Sequence, residues 1–173
     1  MRIHWCVFLL LGAVATSAQQ EAPPRPCQSE QARQFDFWLG QWNVSWGDDS
    51  QGTNSVTAEL DGCVIVERFD GQPGTPLVGM SVASFDAHSG MWKQTWVDNQ
   101  GGYLDFTGTW QQDRMILRRQ ASRDGVDFLQ RMVWYDIAED HFQWHWERSD
   151  DDGKTWQVLW HIRYVRDDPP DAQ

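Results

Sequence analysis

The sequence predicts an all-β protein, an antiparallel up-and-down barrel of about ten strands with a short N-terminal helix plugging one end. Turn-forming residues recur about every ten positions after Gln41, and the ten runs between them are rich in Val, Ile, Thr and aromatic residues. The connections are too short for crossover helices, so neighbouring strands must be antiparallel. Closure removes the exposed edges of such a sheet, which favours a barrel. The alternative is a two-sheet sandwich.

The predicted helix and first strand meet in residues 35–46, FDFWLGQWNVSW. Ser29 is a suitable N-cap, which predicts a helix of two to three turns ending at Leu39. Gly40 then allows a sharp turn into the first strand. The large apolar side chains around this turn are expected to form a plug at the closed end of the barrel, made of Phe35, Phe37, Trp38, Leu39 and Trp42.

The N-terminus is typical of a secretory signal peptide. It has one basic residue, Arg2, then an apolar run over 5–15 and small residues before a cleavage site expected after Ala18. A retained anchor helix is the alternative. The predicted organisation is a signal peptide (1–18), a flexible Pro-rich lead (19–27), one barrel domain (28–166) and a disordered tail (167–173). We therefore expect a periplasmic or secreted protein with no membrane span.

The net charge limits the classes of possible partner, and the cysteine content predicts a disulfide. The formal net charge is -11, and loss of Arg2 with the signal peptide would make it -12. Such acidity argues against nucleic acid as a partner. Loss of Cys6 would leave Cys27 and Cys63, which predicts a disulfide in an oxidising compartment, with two free thiols as the alternative. The bridge would contribute about 3–4 kcal/mol by closing its loop.

Trp is unusually abundant, with 12 in 173 residues, and period-two alternation places much of it on one face of each strand. An aromatic face with a few polar groups is typical of a small-ligand cavity. The expected inward residues of the fifth, sixth, ninth and tenth strands are Trp92, Gln94, Trp96 and Asp98; Leu104, Phe106, Gly108 and Trp110; Phe142, Trp144 and Trp146; and Trp156, Val158, Trp160, Ile162 and Tyr164.

Two strands are ambiguous. In the third strand either Glu67 or Arg68 faces inward, and in the eighth either Gln130 or Arg131 does. A charge that faces inward needs a partner, so a Glu67–Arg131 pair is one solution.

Several stretches resemble secreted bacterial lipocalin-like domains of unknown function, which are related in barrel architecture to nitrobindins and fatty-acid-binding proteins. The resemblance implies a calycin-type barrel and a buried ligand, but no established reaction. It rests on 35–44 (FDFWLGQWNV), 62–67 (GCVIVE), 92–102 (WKQTWVDNQGG) and 146–156 (WERSDDDGKTW).

The same resemblance raises haem as an alternative ligand, because nitrobindins hold haem on a His near the C-terminus. His161 is the only His in the last predicted strand, but Trp160 and Ile162 look like the inward pair, so we expect His161 to point outward. His141 and His145 share a strand face and have metal-ligand spacing if Glu147 or His161 joins them. A polar outer face is the simpler interpretation, so no cofactor or metal is expected.

Residues 149–156, SDDDGKTW, fit the Asp-box pattern of sialidase-type propellers. We interpret this single copy as a hairpin device, in which Asp151 accepts turn amide hydrogens, Gly153 takes an unusual φ and Trp156 packs beneath. It identifies no catalytic residue.

Together these observations predict a barrel that binds a small, partly apolar or aromatic ligand. An enzyme of isomerase, lyase or hydratase type, with Glu67 or Asp98 as acid or base, is the alternative, and a barrel filled by its own Trp side chains is a third possibility. The expected ligand-binding residues are a stacking wall of Trp96, Trp110, Trp144 and Trp146, with the polar groups Glu67, Gln94, Asp98 and Arg131.

Overall fold

The computed structural model describes residues 27–167. The predicted signal peptide, most of the lead and residues 168–173 lie outside the described residues. Three short 3₁₀ helices span Gln31–Arg33, Asp36–Trp38 and Leu60–Gly62. The strands are β1 Gly40–Trp46, β2 Ser50–Glu59, β3 Val64–Asp70, β4 Val78–Asp86, β5 Met91–Asp98, β6 Tyr103–Gln111, β7 Arg114–Arg123, β8 Val126–Tyr135, β9 His141–Ser149 and β10 Gln157–Arg166.

All ten strands form one closed antiparallel barrel. Each strand pairs with its sequence neighbours, and β1 also pairs with β10, for example Val44 with Tyr164. The predicted all-β barrel is therefore confirmed, and the sandwich alternative is excluded. In this topology the connections 47–49, 71–77, 99–102, 124–125 and 150–156 lie at one end, which we call the mouth. The N-terminal segment lies at the other end.

The predicted plug at the closed end is confirmed, but it is shorter than a two- to three-turn helix. Ser29 Oγ accepts the Ala32 amide at 3.2 Å, but Ser29 lies one residue before the N-cap position, which Glu30 occupies. At Phe35 (φ -96°, ψ 5°) the chain leaves helical geometry and a second 3₁₀ helix begins. This break lets nearly consecutive aromatic side chains all enter the barrel, where Phe35 meets the rings of Trp92 and Trp134 at 4.8 and 5.2 Å.

Gly40 joins the plug to β1 in a conformation that only glycine adopts readily. Its φ is +131°, and a Cβ there would lie 2.4 Å from a guanidinium nitrogen of Arg166. That guanidinium donates to the Leu39 carbonyl at 2.8 Å and stacks on Trp42 at 4.3 Å. The last strand thus holds the plug in place.

The predicted disulfide is present between Cys27 and Cys63, with their Cα atoms 5.1 Å apart. Cys63 directly precedes β3, so the bridge ties the segment before the plug to the closed end of the barrel. The loop that it closes has a sequence separation of 36 residues.

The inward face predicted for the tenth strand is wrong at its start. A β-bulge between Val158 and Trp160 shifts the register, so Val158 pairs with the outward Glu147 while Trp160 pairs with the inward Trp146. Trp156 lies on the outside, under the guanidinium of Arg131. One inserted residue is enough to reverse the alternation, because strand side chains have a period of two.

Candidate functional site

The barrel contains a cavity of about 230 Å³ between the plug and the mouth. Its wall is aromatic and aliphatic, and the ionisable residues that line it within the described chain are Glu67, Asp98 and Tyr164. The apolar wall consists of Trp96, Trp134, Trp144, Trp146, Trp160, Phe69, Phe106, Leu77, Leu104, Met132 and Ile162. The barrel is therefore not filled by its own side chains.

Glu67 belongs to a hydrogen-bonded cluster that we call the polar floor, made of Asn54, Glu67, Ser81, Gln94 and Tyr164. Asn54 Nδ2 donates to Glu67 Oε1 at 2.8 Å, and Ser81 Oγ donates to Glu67 Oε2 at 2.6 Å. Gln94 Nε2 donates to Ser81 Oγ at 2.7 Å, and Asn54 Nδ2 also reaches the Tyr164 hydroxyl oxygen at 3.2 Å. These contacts fix the carboxyl group, because each of its oxygens already has one donor.

The electrostatics of the floor are dominated by burial. Glu67 is only 6% exposed, and burial raises its pKa from 4.5 to about 7, although the hydrogen bonds from Ser81 and Asn54 oppose the shift. No cation pairs with Glu67 among the described residues. Burial likewise raises the pKa of the Tyr164 hydroxyl well above its usual value, so Tyr164 stays protonated at neutral pH. Both protonation states of Glu67 are thus populated near pH 7.

Asp98 is a different kind of carboxylate, held at the mouth. Its Oδ2 accepts the Trp96 indole N–H at 2.9 Å, and its Oδ1 accepts the amides of Gly102 and Gln100 at 2.8 and 2.9 Å. The Trp96 hydrogen bond, together with these amides, lowers the pKa of Asp98. Asp98 therefore stays ionised and positions Trp96 over the cavity.

Three buried polar atoms near the cavity have no hydrogen-bond partner among residues 27–167. They are the indole N–H of Trp134, which lines the cavity, and the side-chain carbonyl oxygens of Asn54 and Gln94 in the polar floor. Buried polar groups are usually satisfied, so such a group beside a cavity is a candidate contact for a ligand.

The candidate residues identified from sequence separate into three groups. Five line the cavity: Glu67, Trp96, Asp98, Trp144 and Trp146. Gln94 faces inward but lies behind Ser81, so it supports Glu67 indirectly. Trp110 and Arg131 do not line the cavity. The indole N–H of Trp110 donates to the Gln112 carbonyl, and its ring contacts Phe37 in the plug at 6.0 Å.

The suggested Glu67–Arg131 pair is wrong, because Gln130 faces inward and Arg131 faces outward. Arg131 forms an ion pair with Glu147 on the outer face and stacks 4.0 Å from Trp156. In the third strand Glu67 faces inward, rather than Arg68. Both ambiguities are resolved by register, since Arg131 pairs directly with Glu147, and Glu67 with Ser81.

The outer face beside Arg131 carries a chain of polar contacts. His145 Nδ1 lies 3.0 Å from Glu147 Oε1, and His145 Nε2 lies 2.8 Å from the Tyr135 hydroxyl. The ring of His161 meets that of His145 at 4.9 Å, and burial lowers the pKa of His161. Within the described chain, no three His, Cys, Asp or Glu side chains are grouped so that they could hold a metal ion.

The residues do not fit haem in the lumen. His161 lies on the outer face, where its Nε2 is 2.8 Å from Gln143 Oε1, and none of the residues that line the cavity is a histidine. Among residues 27–167, therefore, no imidazole faces the cavity as an axial ligand.

The Asp-box stretch forms the hairpin at the mouth between β9 and β10. Asp151 accepts the Thr155 amide at 2.9 Å and the Thr155 hydroxyl at 2.7 Å, and Gly153 has φ +82°. The Trp156 indole N–H donates to the Gly153 carbonyl at 3.1 Å. These hydrogen bonds all lie within the hairpin, as its interpretation as a turn-stabilising motif predicts.

Sequence reasoning missed several residues in and around the site, among them Phe69, Leu77, Met132 and Trp134 of the cavity wall. Asn54 and Ser81 lie in strands without a clear aromatic face, so only cross-strand contact reveals them as partners of Glu67. The alternation predicts that Tyr164 faces inward but predicts no role for it. Arg119 does not line the cavity but lies beside it on the inward face, with its guanidinium 5.9 Å from the Phe106 ring and bonded to Gln130 at 2.9 Å.

Compared with known proteins, the sequence significantly matches no family model and no characterised protein. Over residues 27–167 the structure has no helix long and apolar enough to span a membrane. The site and the fold thus define a closed ten-stranded antiparallel barrel with an aromatic cavity and one buried carboxyl group at the cavity wall.

Proposed function

We propose that this protein is a secreted or periplasmic lipocalin-like barrel that binds a small, largely apolar aromatic molecule in its cavity. The single observation that carries the proposal is the Trp-lined cavity that has a buried carboxyl group in its wall. Aromatic faces stack on rings, and a few fixed polar groups provide orientation.

Cavity size supports a ligand of one or two rings. A cavity of roughly 150 Å³ holds benzene, and pockets for drug-sized ligands begin at about 300 Å³. The observed 230 Å³ lies between these values. The polar side chains on the cavity wall that could orient such a ligand are Glu67 and Tyr164, which favour a ligand bearing one hydroxyl or carbonyl oxygen.

Isothermal titration calorimetry with 2-naphthol tests the proposal. The informative variant is Leu104→Trp, which places a larger side chain on the cavity wall. The matched control is Leu159→Trp on the outside of β10, where Leu159 is 47% exposed. We expect Leu104→Trp to weaken binding at least about tenfold, equivalent to 1.4 kcal/mol, and Leu159→Trp to leave it unchanged. Absence of binding by the wild type, or equal binding by both variants, would contradict a cavity site.

A second candidate function is an enzyme that uses the Glu67 carboxyl as acid or base. The observation favouring it is that burial brings the pKa of Glu67 to about 7, where a general base is most effective at neutral pH. Asp98 is the weaker candidate, because its lone pairs are engaged by Trp96 and the loop amides and its pKa is lowered.

A further inference from the structure

The polar floor places a carboxyl group and a phenolic hydroxyl next to each other at the cavity wall. Asn54 Nδ2 donates to both Glu67 Oε1 and the Tyr164 hydroxyl oxygen, at 2.8 and 3.2 Å. Glu67 Oε1 and the Tyr164 hydroxyl oxygen are therefore at most 6.0 Å apart, which is the sum of their two distances from Asn54 Nδ2. Both side chains also line the cavity, so a molecule bound there can contact both.

The two groups have complementary hydrogen-bonding roles. Tyr164 accepts from Asn54, and its O–H has no acceptor among residues 27–167, which leaves it free to donate into the cavity. Each oxygen of the Glu67 carboxylate accepts one hydrogen bond, which leaves a further lone pair on each. The floor thus offers one acceptor and one donor to the same ligand.

We propose that the polar floor catalyses reversible enolate formation from an aromatic ketone, and so proton exchange at its α-carbon, with Glu67 as the base and Tyr164 as the hydrogen-bond donor to the carbonyl oxygen. This inference rests on the proposed function, because the ketone must first bind in the cavity.

The geometry of an enolisable ketone suits this spacing. Its carbonyl oxygen and α-carbon are about 2.4 Å apart, given a C=O bond of about 1.23 Å and a C–C bond of about 1.52 Å. Contacts of about 2.6–3.2 Å to Tyr164 and to Glu67 would bridge two oxygens that lie up to 6.0 Å apart. A single ketone can therefore contact both groups at once.

In the reaction Glu67 removes a proton from the α-carbon. The C–H electron pair forms the new carbon–carbon double bond, and the carbonyl π pair moves to the oxygen, which is stabilised by the Tyr164 hydrogen bond. Return of the proton from Glu67 to the same carbon regenerates the ketone, and return to a conjugated carbon isomerises it. No other reactant is needed.

The surroundings favour this chemistry over hydrolysis with two carboxylates. Asp98 is held by Trp96 and the loop amides at the mouth, so it cannot serve as a second acid. The apolar wall offers few competing polar groups, so the Tyr164 hydrogen bond to a developing negative charge is stronger there than in water. The pKa of Glu67, raised to about 7 by burial, makes it a stronger base than an ordinary carboxylate and still leaves part of it ionised at neutral pH. Asn54 and Ser81 act as positioning residues, because each donates a hydrogen bond to one oxygen of the Glu67 carboxylate.

The test is α-proton exchange of 2-tetralone in D₂O, followed by proton NMR, with 2-naphthol binding measured by calorimetry on the same samples. The naphthol resembles the enol but does not turn over. We expect the wild type to exchange the α-protons faster than buffer, with a rate that rises with pH and levels off above about pH 7, where Glu67 is ionised.

Glu67→Gln should lower the exchange rate by about a hundredfold or more, and Tyr164→Phe by about a hundredfold. Each variant removes at most one hydrogen bond to 2-naphthol, so its binding should weaken by no more than about tenfold. The exposed Glu59→Gln on β2 is the matched control and should behave as the wild type. If Glu67→Gln does not fold, Glu67→Asp, which retracts the carboxylate, should show the same separation of exchange from binding.

The outcomes distinguish this inference from the binding proposal. Wild-type protein that binds 2-naphthol but exchanges 2-tetralone no faster than buffer overturns the catalytic inference and leaves the binding function standing. Exchange that survives in Glu67→Gln also overturns it. If the wild type neither binds 2-naphthol nor accelerates exchange of 2-tetralone, both the binding proposal and the catalytic inference are overturned.

Discussion

Replacement of Glu67 by Gln should change how stability depends on pH, and the effect follows directly from the buried position of the carboxyl group. Gln is a neutral isostere of the protonated acid. It keeps one oxygen that can accept the hydrogen bond of Ser81 or Asn54. The variant therefore removes the ionisation and keeps most of the packing.

The sign follows from proton linkage. The Glu67 pKa is raised from 4.5 in the unfolded chain to about 7 in the folded barrel, so between these values the folded state binds more protons. The wild-type free energy of unfolding therefore decreases as pH rises from 4.5 to about 7, and the loss is complete above that range. At 1.36 kcal/mol per pKa unit, the loss is about 3 kcal/mol.

The assay is urea unfolding of wild type and Glu67→Gln at pH 4.5 and pH 8. Other groups also titrate here; the lowered pKa of His161 gives a contribution of opposite sign, because its folded form releases its proton first. Comparison of the two proteins at each pH cancels such contributions. We expect nearly equal stability at pH 4.5, and a variant that is about 3 kcal/mol more stable than wild type at pH 8.

The exposed Glu59→Gln is the control, and its stability difference from wild type should not vary between the two pH values. If Glu67→Gln also differs from wild type by the same amount at pH 4.5 and pH 8, Glu67 does not carry the raised pKa, and the account of a buried, partly protonated carboxyl group is refuted.

Three further predictions concern the parts that hold the barrel closed. Cys27→Ser with Cys63→Ser should lower the free energy of unfolding by about 3–4 kcal/mol, and reductant should destabilise the wild type but not the double variant in urea titrations. Phe35→Ala should cost about 3–5 kcal/mol, since Phe35 is fully buried in the plug; a cost below 1 kcal/mol in the same assay would show that the plug is not packed as described. Arg131→Met should lower the free energy of unfolding by about 1–3 kcal/mol, because it leaves Glu147 buried without its cation. The affinity for 2-naphthol should stay unchanged. A large drop in that affinity by calorimetry would show that Arg131 belongs to the binding site.

The alternation of side chains let the sequence predict much of the aromatic wall. Trp96, Trp144 and Trp146 were placed inward by period-two counting, which holds wherever a strand is regular. The same counting failed for Trp156 and Val158, because the bulge before Trp160 inserts a residue that depends on the pairing with β9. A bulge has no strong signature in a single strand, so counting along the chain does not detect it.

The charged residues show the other limit of sequence reasoning. The sequence alone does not decide whether Glu67 and Arg131 face the inside or the outside of the barrel. Only the balance of charge suggests that they pair. The structure pairs Arg131 with Glu147 on the next strand and surrounds Glu67 with neutral donors. Burial of a carboxyl group without a cation costs free energy and raises its pKa, and neither effect is encoded in local sequence.

The sequence by itself determined the local features: strands and turns, an aromatic plug next to a glycine, two cysteines suited to a bridge, and a mouth hairpin whose residues bond to one another. These depend on contacts within a few residues or on a simple period. The tertiary structure alone decided the polar floor, because Asn54, Glu67, Ser81, Gln94 and Tyr164 come from five strands and meet only when the barrel closes. Register and burial are properties of the whole barrel. They surround Glu67 with neutral hydrogen-bond donors and raise its pKa, which distinguishes it from an ordinary surface carboxylate.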